Sequence, residues 1–500
     1  MPSFSPVSRV QTVRRSRVRA AALVALTCVA AAALAMPGCS GASNELLGKD
    51  GGSGSSGGGS GGGSGGSSGS SGGSSGGSGG SSGGSSGGSS SGGSSGGQDA
   101  SIDSSCTTTI HGTVMDPAKL HPVYNALVYV PSAALASIPT GPSCDLCGTP
   151  PSGSPVAVAL SGADGTFTMS GVPSGTNIPL VVQIGKWRRE GVVIPSVAAC
   201  GDTAVDTELT RLPTNKSEGH LPHIAISTGL DGMECALKTI GVDESEFTDS
   251  TGNGSIHIYQ GDATVGATAG SGTLPATSLW SSVPTLGNYD MVIDACQGAP
   301  PTDKPQASID NINAYAAAGG RVYLSHWEDF VIWPTGENST FSPTATEDTT
   351  STSTATMATN VAINLGGFPK GAALGKWALD VGASTTLGEI AAINNARFNV
   401  LSVTAPSKSW LSGLVPPDNT TENVYEYSFY TGSAACGKVE FQDFHVSAGG
   451  QATAEVFPAE CTDPANLPDP GATDLFEFFL FDSLNCVQDD SQMPVAPPLH

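Results

Sequence analysis

The chain is poor in positive charge. Only 20 of its 500 residues are Lys or Arg, against 44 Asp or Glu, and the formal net charge is −24. Five of those cations (Arg9, Arg14, Arg15, Arg17 and Arg19) precede residue 40, where no acid occurs, which leaves fifteen for the rest. So few cations cannot neutralise a run of phosphates, which excludes broad nucleic-acid binding and a long polybasic membrane face. Long apolar runs are also missing. The one candidate, Ala20–Met36, has about 17 residues and is short for a stable span. No P-loop, no GxGxxG behind a strand and no HExxH occurs, so the common phosphate, dinucleotide and zinc-protease signatures are absent. Eight strand–helix units, as a TIM barrel needs, do not fit either. No cofactor is expected.

Glycine, in contrast, is abundant. There are 67, and every position from Gly51 to Gly97 is Gly or Ser. A tract with almost no side chain to bury does not fold, so residues 40–103 read as a disordered tether, and the 47 Gly and Ser positions from Gly51 to Gly97 alone give a reach of roughly 38 Å. Ahead of it, the Arg-rich stretch, the Ala-rich run and Pro37-Gly38-Cys39 resemble a bacterial secretion signal ending in a lipobox. That resemblance implies lipidation of Cys39, with ordinary cleavage or an uncleaved anchor as alternatives. Ser40 behind it implies sorting to the outer membrane of a Gram-negative envelope.

Nine cysteines follow Cys39: Cys106, Cys144, Cys147, Cys200, Cys235, Cys296, Cys436, Cys461 and Cys486. In an oxidising compartment most of them pair, and an odd number leaves at least one over. Cys144-Asp-Leu-Cys147 is a CxxC without a second CxxC or nearby His pair, which favours structural disulfides over a redox or zinc role.

Residues 104–213 carry short β-type runs at regular spacing: Thr108–Val114, Ala126–Val130, Val156–Leu160, Thr166–Met169, Leu180–Ile184 and Arg189–Ile194. This predicts a small antiparallel β-sandwich. Four motifs occur in order: His111-Gly112-Thr113-Val114, Pro122–Val130, Asp164-Gly165-Thr166-Phe167 and Pro173-Ser174-Gly175. They resemble a carboxypeptidase regulatory-like, transthyretin-like domain, which implies an accessory role in folding or recognition. Asp164-Gly165 is expected to form a hairpin turn, and Pro131–Pro155 is an insertion. Lys186-Trp187-Arg188-Arg189 is the densest basic cluster past the signal, so Trp187 and Arg188 are candidate ligand contacts, with a solvated strand end as the alternative.

Residues 218–490 change pattern. Strand-like runs (Leu221–Ser227, Ile256–Tyr259, Tyr289–Cys296, Arg321–Ser325) alternate with helical spacing at Met233–Ile240 and Ala307–Ala318. Such alternation predicts an α/β doubly wound parallel sheet with helices on both faces. Tyr289–Ile293, Gly319–His326 and the late run Gly437–His445 resemble the class I glutamine amidotransferase and ThuA-like superfamily, with a flavodoxin-like sheet and a closing Phe-rich helix over Asp474–Leu484. The family's catalytic pattern is broken here. Leu324-Ser325-His326-Trp327-Glu328 stands where a Gly-flanked Cys elbow would, and Trp327 is too large for a sharp turn. His445 is not followed by Pro-Glu.

Three arrangements stay open at the carboxyl ends of these strands. Ser325, His445 and Asp443 form a possible serine triad, with Asp443 and His445 on one strand face. His326, Glu328, Asp443 and His445, with Asp329, offer ligands for a divalent metal. Trp327, with His326 and Glu328, offers a stacking face for a sugar or peptide in the crevice that doubly wound folds use. The whole is expected to be a multidomain, tethered cell-envelope lipoprotein, held to the membrane by its lipid, that recognises a glycan, peptide or envelope partner without catalysis. The alternative is a hydrolase using the Ser325/His326 and Asp443/His445 region.

Overall fold

The computed structural model describes residues 106–350, 356–417, 419–447, 454–462 and 469–499. The signal, Cys39 and the tether over 40–103 lie outside the described residues. Among the described residues, no helix is long and apolar enough to cross a membrane.

The amino-terminal part forms two small sheets. One joins Thr109–Thr113 to Thr166–Ser170 antiparallel and to Asp202–Ala204 parallel. The other runs in the order Pro155–Leu160, Leu127–Pro131, Gly175–Ile184, Trp187–Val197 and Gly219–His220, antiparallel throughout. The Asp164-Gly165 turn therefore does not close a hairpin. It carries the chain from one sheet to the other, because Pro155–Leu160 and Thr166–Ser170 pair with different partners. Gly165 is needed there: its φ is +69°, and a Cβ would meet the Val114 carbonyl at 2.6 Å. Asp164 holds the turn by accepting from Thr166 N at 3.0 Å.

The second part is one ten-stranded mixed sheet. Six parallel strands lie in the order Phe247–Thr248, Ile256–Gln260, Ile224–Thr228, Met291–Asp294, Arg321–Ser325 and Gly437–Gln442. Four antiparallel strands extend it: Glu422–Thr431, Lys408–Leu414, Thr356–Ile363 and Glu389–Ala396. Strand alternation sorts the core. Ile224, Ile226, Ile256, Ile258, Met291 and Ile293 belong to one apolar cluster. Ala225, Tyr259, Val292, Val322 and Leu324 belong to the other. Leu237 and Phe479 cover the first face, and Ile309, Ile312, Tyr315 and Trp280 cover the second. The helix expected over Ala307–Ala318 spans Gln306–Ala317 and ends at Gly319, φ +105°, as its sequence signal indicates.

The closing helix begins earlier than its apolar run indicates and spans Pro470–Leu484, with Asp469 as N-cap and Pro470 in the first turn. It is covered on all sides, so its Phe and Leu residues are buried together with Glu477 and Asp482, which pair with His121 and Lys370 at 2.8 Å each. Tyr323 and Trp410 of the large sheet meet Phe476 and Phe479 at ring-centroid distances of 5.2 and 5.3 Å. Tyr124, in the turn before Leu127–Pro131, and Trp187 of the small sheets meet Phe478 and Phe481 at 6.0 and 5.5 Å. Small sheets and large sheet thus share one core, and Gln98–His500 is one compact unit.

Four disulfides reinforce this unit: Cys106–Cys200, Cys144–Cys436, Cys147–Cys486 and Cys235–Cys461. The CxxC splits between two distant partners, so it is not a redox pair. A bridge closing so long a loop contributes about 2–5 kcal/mol. Cys296 is the free cysteine among the described residues.

Candidate functional site

At the carboxyl edge, four parallel strands deliver their next residues to one place. Ile224–Thr228 leads to Asp231, Met291–Asp294 to Cys296, Arg321–Ser325 to His326, and Gly437–Gln442 to Asp443 and His445. The turn after Arg321–Ser325 is sharp even though Trp327 follows it. His326 takes the left-handed conformation, φ +55°, and starts a 3-10 helix over His326–Val331 at once. A non-glycine residue held there costs about 1–3 kcal/mol, which the surrounding packing must offset.

His326 Nδ1 lies 3.3 Å from Cys296 Sγ, and its ring meets that of His445 at 4.4 Å between centroids. One ligand atom each from Cys296, His326 and His445 falls within 4.8 Å of the others. Burial pushes the Cys296 thiol well up, and the Asp231 and Glu328 carboxylates add to this. Burial pulls His326 well below its usual range, with His445 and Arg397 nearby lowering it further, and burial lowers His445 too. The group therefore stands as neutral thiol and neutral imidazoles, not as the thiolate–imidazolium pair of a reactive cysteine.

The predicted triad does not assemble. Ser325 Oγ donates to Asp231 Oδ2 at 2.6 Å, and neither nitrogen of His445 has a hydrogen-bond partner. Asp443 and His445 do not share a strand face because the strand ends at Gln442. Asp443 Oδ2 accepts from Asn399 N at 3.2 Å, and burial pushes its carboxyl well up. The predicted metal set is also corrected. His326 and His445 meet, but Glu328 turns to Lys304 Nζ at 2.8 Å, which also reaches Asp294 at 3.2 Å. Cys296 stands in place of the carboxylates. The sequence does hold a signal for it, an odd cysteine count and a position one strand away from His326.

Trp327 is half-buried, and its face is covered by the Arg397 guanidinium at 3.5 Å. Arg397 in turn pairs with Asp329 at 2.6 Å. Trp187 offers no face to a ligand: it is 1% exposed and donates from Nε1 to the Pro213 carbonyl at 2.9 Å. Trp187 is thus neither a ligand contact nor a solvated strand end, because the closing helix packs on it.

Arg188 has a different setting. It lines a cavity of about 380 Å³ that sequence reasoning did not locate. Leu127, Leu160 and Gln183 of the small sheets form one wall, the insertion from Ala136 to Ser152 a second, and Asn485, Cys486, Val495 and Pro497 a third. The insertion is stapled by Cys144–Cys436 and Cys147–Cys486 beside the amino edge of the large sheet. There Lys186 Nζ pairs with Asp290 Oδ1 at 2.7 Å, and Asp290 also accepts from Gly141 N at 2.8 Å and His223 N at 2.7 Å. Arg188 is held by Glu190 at 2.7 Å and the Ala136 carbonyl at 2.9 Å. Gln183 Oε1 is buried without a hydrogen-bond partner.

No family model and no curated protein matches the chain. Solved structures similar to it include the mmIFT52 N-terminal domain, with 8% identity and a TM-score of 0.28, covering 53% of this chain and 99% of that one. A ThuA-like protein from Bacteroides uniformis has 9% identity and a TM-score of 0.28, covering 52% and 89%. A cytoplasmic protein of Salmonella typhimurium LT2 has 10% identity and a TM-score of 0.26, covering 52% and 98%.

Proposed function

We propose that this chain is a non-catalytic binding protein of the bacterial cell envelope, lipidated at Cys39, tethered to the outer membrane by the Gly/Ser tract, and receiving a peptide segment of an envelope partner in the amino-edge cavity. In this reading a transthyretin-like sandwich and a degenerate ThuA-like sheet together frame the recess. The cavity of about 380 Å³ is the observation that carries the reading, since it has the size of a small-ligand recess. Its lining mixes Leu127, Ile138, Leu146, Leu160 and Val495 with Asn125, Gln183 and Arg188, and holds no aromatic residue. Apolar side chains and backbone amides suit such a lining, whereas a sugar would lack a stacking face. Four disulfides favour an oxidising compartment. Against hydrolysis stand a Ser325 hydroxyl committed to Asp231 and a Cys296 thiol held neutral by burial.

The test is a peptide and glycan array probed with the oxidised full chain. Ile138→Trp, which fills the cavity, is expected to abolish peptide capture, and Arg188→Ala to weaken it. Ser325→Ala should leave it intact. Ester or amide turnover lost with Ser325→Ala would establish the hydrolase instead. Labelled palmitate should enter the wild type and not Cys39→Ser.

A further inference from the structure

We propose that Cys296, His326 and His445 form a buried binding site for one thiolate- and imidazole-preferring metal ion, zinc(II) or copper. Three independent observations converge on it. The first is the donor set: one sulfur and two imidazoles, with ligand atoms all within 4.8 Å of one another and no carboxylate among them. Soft sulfur and borderline nitrogen select zinc or copper over magnesium and calcium, which need oxygen ligands. A Zn–S bond of about 2.3 Å and a Zn–N bond of about 2.0 Å, meeting near 100°, span the 3.3 Å between Cys296 Sγ and His326 Nδ1.

The second observation is unmet hydrogen-bonding capacity. His445 is only 4% exposed, yet neither of its ring nitrogens has a hydrogen-bond partner. Buried polar atoms are paired in almost every native structure, and an orphan calls for an explanation. An ion between the three side chains engages a His445 nitrogen directly.

The third is the backbone. The left-handed His326 is the means by which the end of Arg321–Ser325 directs an imidazole to the cysteine of the neighbouring strand. Strain of this kind persists where a side chain must be held in one place. The backbone around the ligands is fixed as well: Asp231 accepts from Ser325 Oγ, Val446 N and Ser447 N at 2.6–3.0 Å, which ties the residues flanking His326 and His445 to one carboxylate. The inference does not depend on what fills the amino-edge cavity.

Because the ligands are buried, the ion enters as the chain folds. The experiment therefore uses the full chain purified, with its disulfides intact, from cultures supplemented with zinc or with copper, and dialysed against a weak chelator. Elemental analysis should give one ion per chain, and X-ray absorption at the metal edge should show one sulfur and two or three nitrogen scatterers. Copper(II) would add an intense thiolate-to-metal visible band and zinc would not, which separates the two ions. Cys296→Ser should abolish the sulfur scatterer and the band. His445→Ala should weaken binding more than ~10-fold, since even outer-shell partners are worth that much. Less than one ion per chain, or a shell of nitrogen and oxygen only, overturns the proposal without any variant. So does binding unchanged by both substitutions, which would point to the separate Asp116, His121 and Glu477 cluster.

Discussion

At the carboxyl edge of the parallel strands, Asp231, Cys296, His326 and His445 are all at most 4% exposed, while beside the amino edge the stapled insertion leaves a cavity of about 380 Å³. Doubly wound folds usually bind their ligands at the first of these edges. Here Arg397 covers it: its N donates to the Asp443 carbonyl at 3.0 Å, and its side chain lies on Trp327. Strand topology brings chemically active residues together, but the loops that follow decide whether they meet a solute. A fold-level rule therefore locates the ionisable cluster and misses the recess.

The contrast can be broken from either side. The largest effect is expected at the amino edge. Asp290→Ala leaves Lys186 buried without its carboxylate and removes acceptors for Gly141 N and His223 N. Breaking one partner of a buried pair costs about 3–5 kcal/mol, which urea unfolding of the oxidised protein would read, together with loss of peptide capture. At the carboxyl edge, Lys304→Ala strands Glu328 and Asp294 and should cost about 3–4 kcal/mol while peptide capture persists. Loss of capture with Lys304→Ala would mean that the two edges are one site.

Next in size is removal of the Cys144–Cys436 bridge by a double Ser substitution. A loss of about 2–4 kcal/mol is expected, with weaker capture because one wall of the cavity is released. Asp329 gives a pH-dependent signal. Burial, opposed by Arg397, raises its carboxyl to about 6 from an ordinary 3.8. Between those values the folded chain binds more protons than the unfolded one, so its contribution is full below about 3.8 and is lost as pH rises to 6. The stability of wild type relative to Asp329→Asn should thus fall from pH 4 to 6 and level off above, which urea midpoints across that range would show. Smallest is Ser325→Ala, at about 1 kcal/mol for one hydrogen bond to Asp231.

Elements were legible in the sequence where a periodic signal was strong. Arg321–Ser325 matches residue for residue, and the helix before it is displaced by one, because Ile309, Ile312 and Tyr315 repeat at helical spacing and Gly319 ends it. The four antiparallel strands and the helix Pro369–Val381 stand outside the strand–helix alternation read from the sequence. Their sequences are rich in Thr, Ser, Asn and Ala, and the strands take their order from a chain of pairings that starts from Glu422–Thr431 on Gly437–Gln442, which no local pattern encodes. For the site, His326 and His445 were readable as strand-end histidines. Cys296 was counted among disulfide candidates, and only the register between Met291–Asp294 and Arg321–Ser325 places it against His326. The cavity was illegible, because its walls come from three segments joined by bridges whose partners no spacing reveals.

Those bridges have a consequence for wear. Cys144 and Cys147, three positions apart, are tied to residues 292 and 339 further along the chain. A protease that cuts once anywhere between Gly148 and Ala435 therefore produces two fragments that do not separate. Gel electrophoresis should show one band without reductant and two with it. A protein exposed to extracellular proteases would then age as a nicked but undivided molecule, keeping the walls of its recess after the backbone is cut.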